Sequence, residues 1–326
     1  MSLNSLRLGR FAARVAAAGL ALAALASCGG GGLVEPFRPT RILAFGDELS
    51  TIEADGRKHT INAFKITDAT TTPPTESATE LDCTRNPIWI QTVARDFGLA
   101  FDRCLGTATT ASGQVLAQSG QKVADLDTQL AAVTGGAPKD DDIAVVMIGM
   151  HDILEAYGKY PGTSREALLD EVRTHAAQLG NWINTLATSG PAVVVLTVPD
   201  LGLTPYAKAQ DIAAGDSTRS ALLKELTSTF NNRMSVTLIN DGRLIGLVFA
   251  DVETQNNARF PASFGLTNVV DAACLDSAPL PDCNTSTLVT GATAAGHMWA
   301  DSLRLGPTVQ GRLGALASFR ARNNPF

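Results

Sequence analysis

The chain has 326 residues, of which 45% are hydrophobic, 18% charged and 6% aromatic. That composition supports one large α/β domain and speaks against a disordered chain, a coiled coil or a collagen-like rod. The formal charge is −6 and no basic stripe is visible, so no nucleic-acid partner is expected.

The N-terminal segment reads differently from the rest. Arg7, Arg10 and Arg14 precede an apolar run over residues 15–26, and no acidic residue occurs before Glu35. The run is too short to span a bilayer and suits the apolar region of a signal peptide. It ends in Leu25-Ala26-Ser27-Cys28, which resembles a lipobox. The resemblance implies cleavage before Cys28 and a diacylglycerol on its thiol, with Gly29 in place of Asp favouring the outer membrane. The competing reading is an ordinary signal peptide with a chance cysteine. The expected organisation is a signal peptide over 1–27, a lipidated cysteine and flexible tether over 28–39, and one domain over 40–322. The expected location is therefore exported and anchored by lipid to the bacterial outer membrane.

Beyond Cys28 there remain Cys83, Cys104, Cys274 and Cys283, an even number in an oxidising compartment. Four cysteines allow three pairings. Nearness in sequence favours Cys83–Cys104 and Cys274–Cys283. A metal site lacks the tight C-x-x-C spacing.

In chain order, residues 41–45 read as a buried strand ending at Gly46-Asp47. Residues 51–86 are polar, with threonine and proline over 70–74, and read as loop. Helices are predicted over 88–97, closed by Gly98, and over 121–133. Residues 142–148 read as a continuous apolar strand ending at Gly149, with a helix beginning over 152–157. A long helix is predicted over 164–188, a third strand over 191–198 ending at Pro199-Asp200, and a long helix over 217–240. A fourth strand over 247–252 and a last helix over 309–321 complete the pattern. Apolar strands alternating with helices predict a parallel sheet covered on both faces, with no internal repeat and no second domain. In such sheets ligands bind beyond the carboxyl ends of the strands. That rim collects Gly46-Asp47-Glu48, Gly149-Met150-His151-Asp152 and Val198-Pro199-Asp200.

These rim segments carry a family resemblance. Phe45-Gly46-Asp47-Glu48-Leu49-Ser50 is similar to the F-G-D-S-L-S block of SGNH/GDSL hydrolases. Gly120 sits where the second block supplies an oxyanion donor. Gly149-Met150-His151-Asp152 resembles the G-x-N-D block, and Asp301-Ser302-Leu303-Arg304 the terminal D-x-x-H block. Val198-Pro199-Asp200-Leu201-Gly202-Leu203-Thr204-Pro205 and Phe264-Gly265-Leu266-Thr267-Asn268 match phrases of the secreted lipase and lecithinase/hemolysin-type phospholipase subgroup. The blocks occur in family order over roughly residues 40 to 322. The resemblance implies a flavodoxin-like three-layer α/β sandwich in one domain and no cofactor.

The resemblance also assigns roles. A serine in the first block attacks an ester, the last-block histidine takes its proton, and the aspartate three residues earlier orients that histidine. In this chain the nucleophile position holds Glu48, the base position Arg304 and the oxyanion asparagine position His151. Asp301 and Gly120 keep the family identity, and the backbone N–H at position 48 is the remaining oxyanion donor. Losing the serine or the histidine of a triad costs on the order of 10⁶ in kcat. Arginine stays protonated and cannot serve as a general base. A Glu48 carboxylate ~4 Å from a developing oxyanion would repel it by about 4 kcal/mol at an effective dielectric of ~20. The paired change predicts a Glu48–Arg304 salt bridge that plugs the old site, with Asp301 near Arg304.

Other readings compete. Ser50 could replace the nucleophile, although two residues along a helix turn it away from the rim. Glu48 could act as general base on water beside His151. Glu48, His151, Asp152 and Asp301 could hold a metal, opposed by the charge of Arg304. His59 is expected in solvent, His175 on an exposed helix face, and His297 and Trp299 in structural positions. The expectation is a non-catalytic or altered-function envelope lipoprotein that binds an ester, lipid or glycan in the old cleft. The alternative is an active GDSL-type esterase or lipase acting on carboxylic esters or phospholipids.

Overall fold

The computed structural model describes residues 36–326, and Phe37–Phe326 form one compact unit. The expected signal peptide and lipidated Cys28 lie outside the described residues. In chain order the strands are β1 (Arg41–Gly46), β2 (Phe64–Asp68), β3 (Thr75–Leu81), β4 (Gly113–Val115), β5 (Asp142–Met147), β6 (Ala192–Leu196), β7 (Ile245–Val248), β8 (Asn268–Ala272) and β9 (His297–Trp299). The α-helices are α1 (Trp89–Asp96), α2 (Leu126–Ala131), α3 (Met150–Gly158), α4 (Arg165–Thr188), α5 (Pro205–Ala214), α6 (Thr218–Thr237), α7 (Ala250–Arg259) and α8 (Pro307–Asn323).

Every residue of β5 and of β6 is buried. A strand buried on alternate residues has one covered face; burial at every position means both faces are covered. The five-stranded sheet runs β4-β1-β5-β6-β7, and all four pairings are parallel. Numbered within the sheet, that order is 2-1-3-4-5, the flavodoxin-like arrangement. Helix α4 packs on α6, and α1 packs on α8. The core between them contains Phe45, Trp89, Trp299 and Phe230, all fully buried. The expected three-layer α/β sandwich with a parallel sheet is therefore the observed architecture. Its topological switch point falls between β1 and β5, where successive connections leave in opposite directions.

Several sequence expectations change. The stretch 51–86 is not all loop, because β2 and β3 form an antiparallel hairpin within it. Most of its residues are exposed, so its polarity masked the strands. The fourth predicted strand, 247–252, is displaced: β7 is Ile245–Val248, and Val252 belongs to α7. The switch to helix is anchored by Asp251, whose Oδ1 accepts from Thr197 Oγ1 at 2.7 Å. The predicted helix 121–133 begins with a 3-10 turn at Val123–Asp125 before α2. Helix α5 was not anticipated, nor were β4, β8 and β9.

Both disulfides, Cys83–Cys104 and Cys274–Cys283, follow the pairing favoured by nearness in sequence. Among the described residues no helix is long and apolar enough to cross a membrane.

Candidate functional site

The carboxyl end of β1 is shaped by close backbone approach. Gly46 has φ +143°, and a Cβ there would lie 2.1 Å from the carbonyl oxygen of Met147 on β5. Only glycine fits that conformation and contact. Gln129 of α2 clamps the same residue from the other side. Its Nε2 donates to Gly46 O at 2.8 Å, and its Oε1 accepts from Gly46 N at 2.9 Å. The chain then turns through a 3-10 helix, Glu48–Ser50, capped by Asp47, whose Oδ1 accepts from Leu49 N at 3.0 Å. This turn drives the Glu48 side chain inward, where it is fully buried. Gly149 plays the matching part after β5. It has φ +125°, and a Cβ would lie 2.5 Å from the Phe230 ring, so α3 starts close against α6 and presents His151.

Around Glu48 the rim residues converge. Glu48 Oε1 accepts from Arg304 Nη2 at 2.5 Å and from Arg304 Nε at 3.0 Å. Glu48 Oε2 accepts from Gly120 N at 3.0 Å and lies 2.7 Å from His151 Nε2. Asp301 Oδ2 accepts from Arg304 Nη1 at 3.1 Å. Its other oxygen accepts from the backbone N–H of Leu303 and of Arg304, at 2.9 and 2.6 Å, and so fixes the turn that aims the guanidinium. Glu48, Gly120, His151, Asp301 and Arg304 thus form one contiguous cluster. Asp301 thus orients the arginine.

The electrostatics follow from this packing. Burial works to raise the pKa of Glu48. The hydrogen bond from His151, the charge of Arg304 and the Gly120 N–H outweigh it and hold the carboxyl well below its usual range. His151 is raised, first by its hydrogen bond to Glu48, against the opposing effect of burial. Burial also works against the charge of Arg304, but Asp301 and Glu48 raise its pKa further. Asp47 is pushed up to about 8, first by burial and then by the adjacent Glu48 charge. Its Oδ2 is buried without a hydrogen-bond partner, as suits a neutral carboxyl.

The remaining candidates lie elsewhere or are packed. Ser50 is fully buried, and its Oγ accepts from Trp89 Nε1 at 3.1 Å, so it faces the core. Asp152 turns away from Glu48: its Oδ2 accepts from Val123 N at 3.1 Å, and its Oδ1 lies 3.2 Å from His175 Nδ1. That removes Asp152 from a common ligand set with Glu48, His151 and Asp301. Among the described residues no group of three or more His, Cys, Asp or Glu is arranged to hold a metal ion. His175 is thus half-buried on α4 rather than on an exposed face. His59 is buried rather than solvated, because its Nε2 meets Glu53 Oε1 at 2.9 Å. His297 is buried on β9, and Trp299 is a core residue whose Nε1 donates to Val269 O. A cavity of about 850 Å³ lies over the Cys83–Cys104 disulfide, and none of the Glu48 cluster lines it.

Gln129 and the neutral Asp47 were not singled out from sequence. A glutamine in a helix carries no motif, and its role depends on a separation of 83 residues closed only by the fold. Asp47 was visible as a motif residue, but its charge state depends on burial.

No protein-family model and no curated protein matches the chain. Solved structures similar to it include a Mycobacterium smegmatis aryl esterase, at 14% identity and TM-score 0.38, covering 87% of this chain and 99% of that one. A carbohydrate acetylesterase from Sinorhizobium meliloti is similar at 14% identity and TM-score 0.36, covering 86% and 97%. A phospholipase A1 from Streptomyces albidoflavus is similar at 13% identity and TM-score 0.36, covering 87% and 99%.

Proposed function

We propose that this chain is an SGNH-type envelope lipoprotein whose ester-hydrolysing centre has been replaced by an internally neutralised cluster, leaving a non-catalytic scaffold. The observation that carries this reading is the position of Glu48 Oε2. It lies 3.0 Å from Gly120 N and 2.7 Å from His151 Nε2, two of the donor positions that the motif resemblance assigns to an oxyanion. A carboxylate oxygen bound there competes with any ester-derived oxyanion for the same donors. The other carboxylate oxygen is satisfied by Arg304, so the cluster needs no external ligand. Glu48 is also a poor general base, because it holds its proton only far below neutral pH. The signal-peptide pattern and the two disulfides support export, and the lipobox resemblance with Gly29 after Cys28 supports a lipid anchor on the outer membrane.

The test is hydrolysis of short- and long-chain p-nitrophenyl esters by the wild type and by a Glu48→Ser/Arg304→His variant, with and without His151→Asn. The expected result is no turnover by the wild type and measurable turnover by a restored variant. Wild-type turnover would overturn the proposal, and its loss in Glu48→Gln under conditions where that variant is shown to be folded would make the chain an esterase with Glu48 in the reaction.

A further inference from the structure

The chain contains three tyrosines, and all three, Tyr157, Tyr160 and Tyr206, line a single cavity of about 370 Å³. Gln210 and Arg219 line it as well. This volume lies at the lower end of the range for small-molecule sites and suits a single ring. Tyr157 and Tyr206 pack edge to face, with ring centroids 6.1 Å apart. Such packing fixes both rings and keeps Tyr206 as a wall. The Arg219 guanidinium lies over the Tyr160 ring, 4.5 Å from its centroid. The stack holds the guanidinium by its face and leaves its N–H edge available.

Among the described residues the Arg219 guanidinium makes no side-chain hydrogen bond or ion pair. Its acidic neighbours Asp211 and Asp216 form no ion pair with it, and one oxygen of each is held by neighbouring donors. Asp211 Oδ1 accepts from the backbone N–H of Arg219 and of Ser220, at 3.0 and 2.9 Å. Asp216 Oδ1 accepts from Thr218 N and Oγ1, at 2.8 and 2.7 Å. Gln210 Oε1 accepts from Tyr157 Oη at 3.3 Å, which leaves the glutamine amide N–H groups as donors. The cavity therefore offers aromatic surface, an unpaired and preorganised guanidinium, and an excess of donors over acceptors. A ligand complementary to it has a ring that lies on aromatic surface, several hydroxyls, and a carboxylate for the arginine.

We propose that this cavity binds an acidic sugar unit, with the carboxylate on Arg219 and the ring against Tyr206. The cavity shares one element with the Glu48 cluster and is hydrogen-bonded to another. Tyr157 lies six residues beyond His151 on α3, and Tyr206 N donates to Ser302 O in the turn that carries Asp301 and Arg304. It is nonetheless a separate site, because six residues around a helix turn the side chain to another face.

The tyrosine census makes the test direct. Replacing tyrosine throughout by fluorotyrosine gives a fluorine NMR spectrum in which every tyrosine signal reports this cavity. Glucuronate is titrated beside glucose, benzoate and inorganic phosphate. The expected result is saturable movement of the signals with glucuronate, with a Kd in the millimolar range or tighter, and weakening of at least about tenfold in Arg219→Gln. Gln210→Leu serves as a second variant should Arg219→Gln fail to fold, and it too is expected to weaken glucuronate. No movement with glucuronate overturns the proposal. Equal affinity for glucose overturns the role of Arg219, and equal affinity for benzoate or phosphate overturns the assignment to a sugar.

Discussion

Arg304 donates two nitrogens, Nε at 3.0 Å and Nη2 at 2.5 Å, to one oxygen of Glu48. Both therefore fall on the same oxygen, not one on each. The second oxygen is reserved for Gly120 N and His151 Nε2. This division satisfies a fully buried carboxylate with four donors. It also explains why a glutamate at a position assigned to a nucleophile does not leave an uncompensated charge.

Glu48→Gln should therefore be strongly destabilising. Whichever oxygen becomes an amide nitrogen then faces donors, and Arg304 loses one of its two carboxylate partners, keeping only Asp301. Breaking one partner of a buried pair costs about 3–5 kcal/mol. Urea unfolding of the variant against wild type measures it. A loss below about 1 kcal/mol would put the pair in the class of exposed ion pairs and contradict the burial of Glu48.

The same cluster sets a pH profile. Glu48 has a depressed pKa, so its contribution is fully present above the unfolded value of about 4.3 and is lost as pH falls below it. His151 is raised, so its contribution is fully present below about 6.5 and is lost as pH rises through its folded value. Asp47, at about 8, keeps in the folded state a proton that the unfolded chain releases near 3.9, so stability falls with rising pH between those values. Asp152 and Asp200, raised by burial, add to that fall. Wild-type stability should therefore peak at about pH 4 and decline toward neutrality. Asp47→Asn keeps the acceptor for Leu49 N and removes the titration, so its profile should be flatter between about pH 4 and 6.5. Chemical unfolding across that range decides it, and a variant as steep as wild type would show that Asp47 is ionised throughout.

Much of this arrangement was legible in the sequence, and the rest was not for identifiable reasons. The fully apolar strands β5 and β6 read directly, because burial on both faces leaves no polar residue in the run. The meeting of Glu48 with Arg304 followed from what the motif resemblance implies, although the two lie 256 residues apart. Charge alone predicts that Glu48 repels an oxyanion; the structure has it bound by the Gly120 N–H and His151, a distinction that depends on where a side chain turns. Helix α5 had a full signature that was passed over: Thr204 as N-cap, Pro205 at the first position and Gly215 in the left-handed conformation after the last turn. The hairpin of β2 and β3 had none, since strands exposed on both faces lack an alternating pattern.

Gln129→Leu tests the clamp on the first motif. The substitution keeps the volume on α2 but leaves the buried N–H of Gly46 without its acceptor, while Gly46 O keeps the N–H of Gln118 at 3.2 Å. An unsatisfied buried group costs about 1–3 kcal/mol, and a loss of that size is expected. Calorimetry gives the loss, and the histidine NMR signal of His151 should shift with it as the Glu48 turn relaxes. A neutral substitution would mean that the Gly46 turn holds its shape without the glutamine.

Removing Glu48 altogether makes the sharpest prediction about the cluster. Glu48→Ala leaves a carboxylate-sized gap lined by the Arg304 guanidinium, the Gly120 N–H and His151, which were arranged around a negative charge. Such a gap is an anion site, and a small carboxylate can re-enter it. Formate should therefore stabilise Glu48→Ala by linkage, by about 1.4 kcal/mol at ten times its Kd, while chloride at equal ionic strength does less. Wild type, whose site holds its own carboxylate, should respond to formate no more than to chloride. Thermal unfolding of both proteins in the two salts separates specific binding from a general salt effect. If formate and chloride act alike on Glu48→Ala, the donors have collapsed onto one another, and the cluster owes its geometry to Glu48 rather than to the fold around it.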